Sequence, residues 1–161
     1  MTSARRRQVI AGLATAPFIS SYALASNTLG RLLVVGGGFA GATLARFAKA
    51  LEPRLSVTLI EARSHYTACP MSNLVLTSSR QLDQQTFDYR ALTAAGVQLV
   101  RGFAVDVDGA QQMVTLQGGR RIAYDRLVLA PGVRLNFDQL SGYTKHSTQA
   151  MPHAWHAGPQ T

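Results

Sequence analysis

Glycines at positions 36, 38 and 41, a glutamate at 61 and a solitary cysteine at 69 are the residues of this sequence with chemistry to offer. Gly36, Gly38 and Gly41 have the spacing G-x-G-x-x-G. In a strand–turn–helix, the first glycine permits a tight exit from the strand and the second lets a pyrophosphate approach bare backbone. The third lets the helix pack close to the sheet. The helix start then offers free N–H groups and a partial positive charge to the phosphates. Glu61 stands twenty residues after Gly41, where a carboxylate can accept hydrogen bonds from an adenosine ribose. Cys69 is the only cysteine, so these residues form no intrachain disulfide, no cysteine-based zinc site and no C-x-x-C-H haem attachment. A buried inert thiol, pairing with another chain, and covalent modification remain open for it.

That chemistry needs strand, turn, helix, strand and acid in order. Residues 31–35 form a short apolar run that stops at Gly36. Ala40, Leu44, Phe47, Ala48 and Leu51 then recur at helical spacing, and Pro53 ends the helix. Residues 56–60 read as a second strand running into Glu61. Residues 62–73 are polar and turn-rich without periodicity, and read as a loop carrying Cys69. A short helix is expected around Tyr89, Leu92 and Ala95, ended by Gly96, with a strand over residues 97–101. The short alternating runs that follow, at 105–107, 113–116 and 120–124, predict an antiparallel β-meander. Asp106 and Asp108 alternate with valines and read as its wet face rather than a metal site. An apolar strand at 127–129 ends in Ala130, Pro131 and Gly132, which either pass close to a cofactor or form a plain turn.

The 161 residues suffice for one domain with a real core, and 47% hydrophobic with 15% charged residues is a globular composition. No apolar run reaches the length of a membrane span. The first 25 residues read as a twin-arginine-type export signal: Arg5, Arg6 and Arg7, an apolar stretch, and Ala23-Leu24-Ala25 as cleavage site. The mature chain is then expected to begin at Ser26, in a bacterial periplasm. Setting those three arginines aside reduces sixteen basic residues to thirteen against eight acidic, a charge of +5. The remaining arginines are scattered, which argues against nucleic-acid binding and suits an anionic cofactor, an anionic substrate or an acidic partner. His146, His153 and His156 crowd the end of the sequence, but their offsets form no recognised metal-ligand pair.

These residues together resemble the flavoprotein subunit of flavocytochrome c sulfide dehydrogenase, a periplasmic relative of the disulfide-reductase-like flavoenzymes. The stretches that carry the resemblance are Val34 through Gly38 with Gly41-Ala42-Thr43, then Val57 through Glu61. More specific are Tyr66-Thr67 with Cys69 and Ser72-Asn73, Tyr124-Asp125-Arg126 through Pro131-Gly132, and Pro152-His153-Ala154-Trp155 with Ala157-Gly158. The resemblance implies an α/β fold: a Rossmann-like FAD-binding half with a parallel sheet plus a small antiparallel meander, over residues 26–161. It implies FAD against Gly36, Gly38, Phe39, Ala40, Gly41, Glu61, Ala62, Cys69, Val105, Ala130, Pro131 and Gly132. It further implies a thioether from Cys69 to the flavin 8α-methyl group, sulfide as substrate and a c-type cytochrome subunit as electron acceptor.

The family oxidises sulfide with a redox cysteine pair that this sequence does not contain. The chain is therefore expected to be the front of a longer flavoprotein, able to hold the flavin and inactive alone. The alternatives are a quinone- or NAD-linked flavin oxidoreductase of the same fold and a non-catalytic flavin-binding module.

Overall fold

The computed structural model describes residues 28–134 and 136–151. The expected export signal, and His153, Trp155 and His156, lie outside these residues. In chain order the elements are β1 (Gly30–Val35), α1 (Phe39–Leu51), β2 (Leu55–Glu61), β3 (His65–Thr67), α2 (Ser72–Leu76), β4 (Thr86–Asp88), α3 (Arg90–Ala94), β5 (Gln98–Arg101), β6 (Ala104–Asp108), β7 (Met113–Leu116), β8 (Arg121–Ala123) and β9 (Arg126–Leu129). The expected α/β class holds. Strands β5-β2-β1-β9 form a parallel sheet in that order, and β6-β7-β8 form the meander. No helix among the described residues is long and apolar enough to cross a membrane.

The sheet is buried on both faces, as parallel sheets are. Neighbouring side chains on β1 point opposite ways and feed two cores. Val34 joins Ala45, Val57, Leu59, Tyr89, Leu92 and Val97 beneath α1 and α3. Leu33 joins Ile60, Val114, Leu116 and Tyr124 beneath the meander. Each fully buried Leu, Ile or Val contributes roughly 1.5–3 kcal/mol, so both layers are needed to hold β1 in place. Asp125 fixes the entry to β9. It accepts from Arg31 N–H at 2.6 Å and pairs with the Arg31 guanidinium at 2.7 Å, which holds its carboxyl below the usual range.

The stripe that announces α1 in the sequence is not the face the helix buries. Gly41 and Ala45 are its buried positions, while Phe47 is 59% and Leu51 83% exposed. A Cβ on Gly41 would lie 1.8 Å from Gly36 O and 3.3 Å from Val34 Cγ1. The helix therefore sits too close to β1 for anything but small residues on that face. Its bulky side chains turn outward, where Phe39, Leu44, Phe47 and Leu51 line an open apolar groove.

Two further expectations need correction. Residues 62–73 are not all loop: β3 lies within them and pairs antiparallel with β4. The strand expected at 97–101 is present as β5, and Gln98–Arg101 pair with Thr58–Glu61 in the parallel sheet. The alternation on β6 is broken by a bulge between Ala104 and Asp106. Val105 and Val107 are exposed, and Asp108 is half-buried, accepting from Gln111 N–H at 2.8 Å. The bulge displaces Val105 from the alternation, whereas Asp106 is exposed as expected and Val107 pairs with the buried Val114.

Candidate functional site

The parallel register carries β1, β2 and β9 to one edge of the sheet, and their ends converge there. Gly36 N–H donates to Ile60 O at 2.9 Å, and Ala130 N–H donates to Val35 O at 2.8 Å. The glycine turn thus lies between Glu61 on one side and Ala130 on the other.

The turn's glycines serve different purposes. Gly36 has φ +100°, and a Cβ there would sit 2.1 Å from Ala130 O, so β9 demands the bare backbone. Gly41 is demanded by the contact with Gly36 O described above. Gly37 lies in the variable part of the motif, yet a Cβ there would meet the Tyr89 ring at 2.7 Å. Gly38 is the exception. Its backbone is extended at φ −75°, and a Cβ would meet only the edge of Tyr66 at 3.4 Å. Nothing in the protein's own packing requires a glycine at position 38, so the space above it is available to a ligand.

Gly38 also opens α1, and no side chain caps it. The first amides of a helix have no partner within the helix. Tyr66 stands beside Phe39 at this helix start, and burial chiefly lowers the acidity of its phenol. The two rings pack edge to face at 5.7 Å. An uncapped helix start over a bare Gly38 is a cradle for an anion.

Glu61 closes the side of the cradle. One carboxylate oxygen accepts from Gly37 N–H at 2.7 Å, and the other from Arg63 N–H at 2.8 Å. Each oxygen accepts one of the two bonds it can take, so capacity remains for hydroxyl donors. Ala62 follows, half-buried. Pro131 and Gly132 continue past Ala130 on the exposed side, and Gly132 has φ +79°. Val105 sits 61% exposed in the β6 bulge, and no described contact joins it to the glycine turn.

Cys69 follows by two residues the end of β3, the strand that places Tyr66 against the start of α1. It is half-buried and in no disulfide. No group of three His, Cys, Asp or Glu among the described residues could hold a metal ion.

Tyr89 was read in the sequence only as part of a helix. In the fold it precedes α3, is 4% exposed, and its hydroxyl donates to Gly37 O at 3.0 Å. The Arg101 guanidinium lies 5.2 Å from its ring centroid and donates to the Arg63 carbonyl. Tyr89 and Arg101 thereby brace the glycine turn and the segment after Glu61 against each other. Nothing in the local sequence pattern signals this role.

Burial, with the charge of Glu61 behind it, pushes the Tyr89 phenol up to about 12. A phenol that ionises near its ordinary value of about 10 when unfolded and later when folded stabilises the fold below pH 10. That contribution is lost as pH rises from about 10 through about 12. Tyr89→Phe should cost about 1 kcal/mol at neutral pH for the lost hydrogen bond, and should flatten this alkaline decline. Chemical denaturation at pH 8 and pH 11 measures both effects.

Comparison with known proteins supplies the remaining findings. The pyridine nucleotide-disulphide oxidoreductase family matches residues 30–156. The flavoprotein chain of sulfide dehydrogenase [flavocytochrome c] from Chlorobaculum thiosulfatiphilum is 49% identical over 45 residues, 28% of this chain and 94% of that sequence. The sulfide-quinone reductase of Aquifex aeolicus (strain VF5) is 29% identical over 118 residues, covering 73% of this chain and 27% of that one. The crystal structure of the Aquifex aeolicus sulfide:quinone oxidoreductase superposes with a TM-score of 0.63 at 29% identity, over 66% of this chain and 25% of that one. The chain thus spans about a quarter of the length of the sulfide:quinone relatives.

Proposed function

Because the chain belongs to the FAD-dependent pyridine nucleotide-disulphide oxidoreductase family, we propose that it is the FAD-binding portion of a sulfide dehydrogenase flavoprotein chain. The observation that carries the reading is the cradle: an uncapped helix start, a Gly38 free of its own packing demands, and a Glu61 carboxylate with hydrogen-bonding capacity left. A dinucleotide needs these three things in this order. The pyrophosphate lies over Gly36–Gly41 and the adenosine ribose reaches Glu61. Ala130 supplies backbone beside the turn, and the cofactor extends along β3 toward Cys69.

When bound, FAD would supply a two-electron acceptor that can also release electrons one at a time. The residues of this chain bind and orient it. The α1 amides meet its negative charge, Glu61 fixes one end by accepting hydroxyl protons, and Cys69 anchors the other. The electron acceptor is a c-type cytochrome subunit, and the charge of +5 outside residues 1–25 suits an acidic docking face. The stretch 49% identical to the flavocytochrome c flavoprotein supports sulfide and the cytochrome over a quinone or nicotinamide partner.

Two measurements test the assignment. Purified chain incubated with FAD should retain flavin through gel filtration. Alone it should not oxidise sulfide, since the two-electron sulfur chemistry requires a thiol pair and Cys69 is its one cysteine. Sulfide-dependent reduction of cytochrome c by this chain at a full enzyme's rate would overturn the division of labour.

Residues 1–25 direct export by the twin-arginine route, so the folded chain carries its cofactor across the membrane. Replacing Arg6 and Arg7 together by lysine should leave the precursor in the cytoplasm, and N-terminal sequencing of exported protein should begin at Ser26. Unimpaired export of the double variant excludes the route.

A further inference from the structure

Cys69 sits in a segment whose backbone is held from both sides by one buried side chain. Gln85 is 2% exposed, in the short helical turn before β4. Its Nε2 donates to Ala68 O at 2.9 Å and to Ser72 Oγ at 2.8 Å. Its own backbone carbonyl accepts from Ala68 N–H at 2.8 Å, and Ser72 N–H donates back to Cys69 O at 3.0 Å. Ser72 is itself 1% exposed. The carboxamide therefore grips the residue before Cys69 and the residue three after it. Between them, Met71 has φ +71°, a conformation a non-glycine residue keeps only when its surroundings hold it.

The second observation is the other end of the same group. Among the described residues, Gln85 Oε1 is buried with no hydrogen-bond partner. A buried acceptor left unsatisfied is costly, and this one belongs to a carboxamide already inside the Cys69 segment. Packing alone would be served by leucine or methionine. A glutamine kept here despite an unpaired acceptor is explained by the two bonds its other end donates around Cys69.

We propose that Gln85 is the positioning residue that presents the Cys69 sulfur to the flavin for covalent attachment. This inference rests on the reading that Cys69 carries the flavin: the Cys69 thiol gives up its proton, its sulfur bonds the 8α carbon as that methyl gives up one hydrogen, and the flavin ring takes the two electrons, is left reduced and is reoxidised by dioxygen in the incubation. The reasoning is geometric. Bond formation between two held groups falls about a hundredfold for a misplacement of about 1 Å, and Cys69 has no other side chain clamping both flanks of its backbone among the described residues. The hydrogen bonds of Gln85 go to Ala68 and Ser72, not to the glycine turn or Glu61, so its loss should spare noncovalent binding.

The test uses the 161-residue chain with its Gln85→Leu, Gln85→Glu and Ser72→Ala variants, each incubated with FAD. Three quantities are followed: total flavin after gel filtration, acid-stable flavin against time, and the iodoacetamide alkylation rate of Cys69 in the apoprotein. Gln85→Leu and Gln85→Glu should slow acid-stable flavin formation about tenfold or more, with total flavin unchanged within about twofold. Alkylation should quicken as the segment loosens. Ser72→Ala keeps the Ala68 contact and should show the same split more weakly, and it carries the test if the Gln85 variants are insoluble. Parental kinetics of acid-stable flavin in Gln85→Leu would overturn the proposal while leaving the anchor intact. So would total and acid-stable flavin falling together, since Gln85 would then act on the fold. Absence of acid-stable flavin in fully loaded parent protein defeats the anchor itself, and the role of Gln85 with it.

Discussion

A Gly38→Val chain is expected to fold like the parent and fail to keep FAD, whereas Gly41→Val is expected not to fold at all. Both changes strike the same six-residue motif, and the structure separates them. At Gly38 the backbone is extended and an added Cβ meets only the edge of Tyr66 at 3.4 Å, an ordinary contact. The valine methyls would instead enter the space through which an anion reaches the α1 amides. Losing two charge-assisted hydrogen bonds at about 1.5–3 kcal/mol each weakens binding by more than about a hundredfold. At Gly41 the Cβ would overlap Gly36 O at 1.8 Å, backbone against backbone, with Val34 behind it. The helix would have to leave β1 and uncover Val34, Val57 and Leu59, a cost above about 4 kcal/mol. Thermal unfolding and flavin retention, measured on the same two proteins, give the answer. A Gly38→Val protein that retained FAD normally would remove the pyrophosphate from this cradle.

Cys69→Ser should abolish acid-stable flavin completely while leaving FAD bound noncovalently. A thioether either exists or does not, so the expected effect is the largest of any single substitution outside the core. The physical argument begins with Tyr66. Its ring packs on Phe39 and lies within contact of a Cβ at Gly38, and its ionisation responds to Cys69 as well as to burial. β3 therefore runs from the helix start to the cysteine, the direction an extended dinucleotide takes away from its pyrophosphate. A thiolate is a far better nucleophile than a serine hydroxyl. The competing view is an inert thiol beneath a dissociable cofactor. Acid precipitation of fully loaded protein separates the two. A yellow pellet whose flavin follows the Cys69 peptide supports the anchor, and colour left wholly in the supernatant would falsify it.

The order of β1, turn, α1, β2 and acid was legible in the sequence because each step has a local cause. The apolar run stops where glycine removes the side chain, the helix stops near Pro53, and a fixed chain length brings Glu61 back to the turn through the parallel register. Cys69 was singled out by number alone, being unique. Tertiary structure decided what periodicity could not. The apolar stripe of Leu44, Phe47 and Leu51 marks a helix but does not say which side faces the sheet. The close approach at Gly41 reserves that side for alanines and turns the larger residues outward. A single extra residue at the β6 bulge set Val105 against solvent, outside the alternation. The residues that brace the site, Tyr89 behind Gly37 and Gln85 around Cys69, stand 52 and 16 residues along the chain from the groups they hold. No local pattern encodes them. They act through hydrogen bonds across elements, and those partners are chosen only when the sheet has brought the ends of its strands together.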